Sequence, residues 1–159
     1  MNMKIVGALL LFGLTGCTET NARVTTRLNT DATLTGTLPA DPFGWKVITS
    51  AIDHRDATMY TVFGNGPAVQ YARTNAQHNY PVGAVLSLVT WSQQEDPRWF
   101  GGRIPAAPKS VEFVTVRSGG VFAYEKYEGN PLKKTSAQEE SSPTGRAAYL
   151  IAQRAAVMP

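Results

Sequence analysis

Two pairs of β-branched and aromatic runs constrain the fold of this 159-residue chain more than any other feature. "WKVITSAI" (Trp45 to Ile52) and "ATMYTVF" (Ala57 to Phe63) flank the polar stretch Asp53-His54-Arg55-Asp56. "SVEFVTVRS" and "VFAYEKY" flank Gly119-Gly120, residues that tolerate positive φ. Each pair predicts a β-hairpin. Between them, "GNGPAVQYARTNAQ" changes period: Asn65 is a helix-capping residue, Pro67 suits a first turn, and Ala68, Val69, Ala72 and Ala76 share one helical face. Pro81 and Gly83 end that helix. "AVLSLVTWS" (Ala84 to Ser92) then predicts a strand apolar on both faces, and therefore central. "QQEDPRWFGGRIPAAPK" is expected as a loop, and Ala147, Leu150, Ile151, Ala155 and Met158 mark a final amphipathic helix. The order β-β-α-β-β-β-α predicts an α+β fold: a mainly antiparallel sheet of about five strands with two helices packed on it.

The single cysteine, Cys17, follows the apolar run from Ile5 to Leu14, which is itself preceded by one charge, Lys4. A run of about ten residues suits the core of a signal peptide and is too short to span a bilayer, which takes roughly 20. Leu14-Thr15-Gly16-Cys17 resembles the lipobox of bacterial lipoproteins. The resemblance implies a signal peptide over residues 1–16, cleavage before Cys17, and acylation of the Cys17 thiol and amino group with palmitate-type chains. Several acyl chains anchor a protein stably where one holds it marginally. The implied location is the bacterial cell envelope, lipid-anchored and facing the periplasm, with the membrane as a partner. Thr18 stands where an Asp would retain many such proteins at the inner membrane, which favours the outer membrane. Residues 17–41 are rich in Thr and Asn without sustained periodicity and are expected as a tether, with a short strand near Val24 to Leu28, leaving residues 42–159 as the folded domain.

With Cys17 acylated, no thiol remains for a disulfide or a thiolate metal site, so the fold must rest on its core. The mature chain loses one of the 15 basic residues and keeps 12 acidic ones, a formal net charge of +2. That excess, without clustered Lys or Arg, gives no face for nucleic acid. Gly64-Asn65-Gly66 lies where a dinucleotide-binding turn would, but Val69 occupies the place of the third glycine, so a tight turn with a helix cap is expected. His54 sits in a charged turn and His78 ends the first helix. Neither has metal-binding or nucleophile-activating spacing, and no metal site is expected. Glu95 and Asp96 read as a solvated loop tip. Trp45, Tyr60, Phe63, Trp91, Phe113, Phe122 and Tyr124 all fall on expected strands, enough rings to build the core; a cavity for a flat apolar ligand is the alternative use of the same rings.

The pieces "GWKVIT", "TMYTVFGNGPAVQYAR", "NYPVGAVLSLVTW" and "SVEFVTVRSGGVFAYEKYEG" together resemble the cytochrome P460 domain, shared with cytochrome c′-β, from about Trp45 to Gly129. The resemblance implies a largely antiparallel sheet, a periplasmic setting and a homodimer. Family members carry c-type haem; some oxidise hydroxylamine and others bind small gases. Their haem is attached through Cys-x-x-Cys-His near the C-terminus, whereas this chain reads "QEESSPTGRAAYLIAQ" there, with neither Cys nor His. Covalent c-type haem is therefore excluded, and no cofactor is expected. The haem-crosslinking lysine of the family's enzymes is also missing, since no Lys lies between Gly83 and Trp91. No catalytic residue carries over. The expected function is that of a haem-free P460-like lipoprotein, a ligand-binding or accessory protein beside a periplasmic redox complex; whether it is an enzyme stays open, with the residues leaning against it. The alternative is a redox or gas-binding protein holding haem non-covalently through His54 or His78.

Overall fold

The computed structural model describes residues 29–74, 79–136 and 142–156. Six antiparallel strands lie side by side in chain order: β1 (Lys46–Asp53), β2 (Thr58–Gly64), β3 (Val85–Glu95), β4 (Arg103–Val116), β5 (Phe122–Glu128) and β6 (Lys133–Lys134). Helix α1 (Gly66–Thr74) connects β2 to β3, and α2 (Pro143–Ile151) follows the sheet. The fold is α+β, as the hairpin pattern predicts.

Both hairpins form where the turn chemistry puts them. In the β1–β2 turn, Asp53 Oδ1 accepts from the backbone N–H of Arg55 at 2.9 Å and of Asp56 at 3.3 Å. Gly119 and Gly120, at φ 76° and 74°, turn the chain between β4 and β5. Asn65 caps α1: its Oδ1 accepts from Ala68 N at 3.2 Å and also from Val85 N at 3.0 Å, while its Nδ2 donates to Gly83 O at 2.9 Å. One side chain thus joins the start of the helix to the start of β3.

The central strands alternate between two cores. On one face Val62, Leu86, Leu88, Val114 and Val116 meet Ala68 and Val69 of α1 and Ala147, Leu150 and Ile151 of α2. On the other face Phe63, Val89, Trp91, Val111, Phe113 and Tyr127 form a second core. Its rings pack edge to face, Phe113 against Trp45 at 6.2 Å and against Tyr127 at 5.9 Å between centroids, while Phe43 stacks on Trp91 at 6.3 Å. Four of the seven rings expected in the core lie in or against this layer, Tyr60 and Tyr124 pack against the helix-side core, and Phe122 is exposed.

Two expectations need correction. Residues 29–41, expected as part of a tether, lie on the aromatic face, with Ala32, Leu34, Leu38 and Ala40 turned inward. Trp91 Nε1 donates to Ala32 O at 3.0 Å, Asn29 Nδ2 to Pro105 O at 2.6 Å, and Leu132 N to Thr35 O at 2.7 Å. Apolar residues spaced two apart are enough to cover a sheet face whose rings would otherwise meet water, although they look periodless in a Thr-rich stretch. The sheet's six strands agree with the expected five or so; the sixth is the short β6, paired with the end of β5. Much of the expected loop 93–109 is strand: β3 runs to Glu95 and β4 starts at Arg103, with register shifts beside Pro105 and Pro108, which lack the N–H a regular ladder needs. The short strand expected near Val24 to Leu28 lies outside the described residues.

Gly64 permits the close approach of α1 to the sheet. A Cβ there would lie 2.7 Å from Ile48 Cδ1 and 3.0 Å from the Ala68 Cβ, so the first glycine of the Gly-Asn-Gly stretch is demanded by packing. Gly64→Val should lower unfolding stability by about 2 kcal/mol through overpacking, measured by chemical denaturation, whereas Gly66→Ala, with open space around it, should cost well under half as much.

Candidate functional site

A cleft of about 460 Å³ opens at the end of the sheet where β1 begins and β2 ends. Its walls are Gly44, Trp45 and Lys46 on one side and Gly64, Asn65 and Gly66 on another, with Val69, Gln70, Arg73 and Thr74 along one side of α1. Trp45 is half-buried, its ring held edge-on against Phe113, so it offers a fixed aromatic wall. Lys46 and Arg73 are exposed and supply positive charge at the rim. An apolar recess bearing two cationic side chains suits a small anion with a flat apolar part. Sequence reasoning anticipated the glycine turn and Trp45. It did not single out Lys46, Gln70 or Arg73, which are brought to the cleft only when α1 folds back over the end of β1.

The other conspicuous cluster lies deeper. Glu112, 2% exposed on the helix-facing side of β4, accepts from Arg146 Nε at 2.9 Å and Nη2 at 2.5 Å, and from Tyr124 Oη at 2.7 Å. This partner raises the Arg146 pKa further above its ordinary value, against the opposing effect of burial. The guanidinium also lies 5.0 Å from the centre of the Tyr149 ring. The Tyr149 and Tyr60 hydroxyls meet at 3.1 Å, and that hydrogen bond, with burial, pushes the Tyr60 phenol up to about 12. These groups satisfy one another and tie α2 to β2, β4 and β5, the pattern of a structural ion pair.

Of the residues singled out by sequence, His54 lies in the exposed β1–β2 turn, at the opposite end of β1 from the cleft. Glu95 and Asp96 are engaged by Arg103 at 3.8 Å and Arg98 at 3.4 Å respectively. Cys17 and His78 lie outside the described residues. Among the described residues, no three His, Cys, Asp or Glu side chains form a group able to hold a metal, and no helix is long and apolar enough to cross a membrane. Among the described residues, no imidazole borders the cleft.

Arg146→Met should cost about 3 kcal/mol of unfolding free energy, because it leaves the Glu112 carboxylate buried without its countercharge. The double variant Glu112→Leu/Arg146→Met should recover most of that loss in the same denaturation experiment. Compared with known proteins, the chain matches no family model and no curated protein.

Proposed function

We propose that this chain is a lipid-anchored, haem-free P460-like domain of the bacterial envelope that binds a small anionic, partly apolar ligand and serves as an accessory protein on the periplasmic side. The cleft carries this reading. It joins a fixed tryptophan wall, an apolar floor at Val69 and two basic side chains in one recess. Such a set of groups recognises charge and a flat apolar surface together. The lipobox-like Leu14-Thr15-Gly16-Cys17 supports the anchor, and the missing Cys-x-x-Cys-His supports a domain that does without covalent haem.

The direct test uses the fluorescent probe 8-anilinonaphthalene-1-sulfonate, which is anionic and flat. It should bind at a single saturable site, with roughly tenfold weaker affinity for Arg73→Ala or Lys46→Ala, equivalent to about 1.4 kcal/mol each. Trp45→Leu should weaken it as well. Equal affinity in all these variants would remove the cleft from the proposal.

The haem-free part is tested separately by absorption spectroscopy of protein produced with haem supplied. No Soret band is expected. A band that disappears in a His54→Ala/His78→Ala variant would replace this reading with non-covalent haem binding.

A further inference from the structure

The β3–β4 hairpin carries two large exposed rings at its tip. Trp99 is 75% exposed, and Phe100 is completely exposed. Among the other described residues no large apolar side chain is more than 64% exposed, whereas here two adjacent aromatics stand clear of the sheet. Their exposure is built in. Asp96 N donates to Gly102 O at 2.9 Å, Gly102 N to Trp99 O at 2.8 Å and Trp99 N to Asp96 O at 3.3 Å, while Gly101 takes φ 75°. Asp96 Oδ1 also accepts from Arg98 N at 2.9 Å. A turn closed in this way pre-orders the backbone that carries both rings, so binding has only their side chains left to order.

The hairpin also projects past its neighbours. The β2–β3 pairing stops at Thr58 and Ser92, whereas β3 and β4 continue through Gln93 with Pro105, Gln94 with Ile104 and Glu95 with Arg103 before the tip begins. The described chain enters the fold at this same end. Asn29 bonds to Pro105 O, and the Asp31 carboxylate accepts from Gln94 Nε2 at 3.3 Å, one or two residue pairs from the turn. Cys17 precedes Asn29 by twelve residues, a reach of at most about 40 Å when fully extended. The described chain therefore begins on the side of the molecule that bears the two rings, and a bilayer touching the tip lies within that reach of Asn29. The acidic residues at the tip are matched by Arg98 and Arg103, so the turn brings no net negative charge to a phospholipid surface.

We infer that Trp99 and Phe100 form a second membrane contact, inserting into the headgroup region of the bilayer that holds the lipidated N-terminus. This rests on the anchored reading of Cys17. Tryptophan favours that region because its ring is apolar and its N–H polar. Attachment at two points fixes orientation as well as distance. The cleft lies at the other end of the sheet, since Gly64 pairs with Leu86, nine residues before Glu95 along β3, about 30 Å of strand. With the tip in the membrane, the cleft faces the aqueous space.

The test uses the full lipidated protein reconstituted into phosphatidylethanolamine–phosphatidylglycerol vesicles with brominated acyl chains, which quench nearby tryptophans. Quenching and a blue shift of the Trp99 share of the emission are expected, and both should vanish in Trp99→Phe. The effect should persist at molar salt, where the Debye length is about 3 Å, because ring burial drives it and not charge. Alkaline extraction of the same vesicles, beside a Cys17→Ser control, reads the anchor independently. Protein that stays on the vesicles with Trp99 unquenched overturns the insertion and leaves the anchor standing, as would be seen if the rings docked on a protein. Protein that is released shows that the anchor fails; mixed with fresh brominated vesicles, it then supports the tip by quenching or overturns it by none.

Discussion

Two central strands that are apolar on both faces are the constraint on which the rest of this structure depends. Leu86, Leu88, Val114 and Val116 turn one way from β3 and β4, and Val89, Trp91, Val111 and Phe113 the other. An unsupported sheet would leave one of these layers in water at roughly 25 cal/mol for every Å² of apolar surface. The two helices cover the first layer. The second is covered by an irregular segment, residues 29–45, whose small apolar side chains and rings lie on the aromatic surface and whose backbone is tied down by Trp91 and Leu132.

The helices are held by different means. Helix α1 is fixed at its start, where Asn65 bonds to both the helix and β3, and Gly64 leaves room for Ala68 and Val69. Helix α2 is fixed in the middle, where Arg146 reaches a carboxylate buried among apolar neighbours of β4. A charge at such a position is costly unless paired, so the pair selects one placement of α2 over alternatives that would leave Glu112 alone. The position of α1 in turn brings Arg73 and Gln70 beside Trp45 and Lys46. The cleft is therefore a consequence of helix packing, and its rim is only as well placed as that packing.

The molecule is polarised along its strands. One end gathers the entry of the chain, the projecting hairpin and its two exposed rings; the other gathers the cleft, Lys46 and Arg73. Under the proposed function, this arrangement would put attachment at one end and ligand at the other. The aromatic face of the sheet is occupied by the chain's own residues 29–45, and the space for a ligand lies beside that layer.

The amino-acid sequence by itself determined the hairpins, the capped first helix, the two-faced central strand and the α+β class, because these depend on short-range rules: side-chain alternation, turn residues with positive φ or a suitable side chain, and a capping Asn before Pro67. The lipobox resemblance is equally local, resting on Leu14-Thr15-Gly16-Cys17 behind a short apolar run. Tertiary structure alone decided that residues 29–41 belong to the fold, that Arg146 finds Glu112 across 34 positions, and that Lys46 and Arg73 meet at one cleft. It also turned much of a proline-rich loop into strand, because the neighbouring strand supplied hydrogen-bond partners that outweighed poor local propensity. Each of these depends on what lies opposite a residue after the sheet has formed, and no local pattern carries that information.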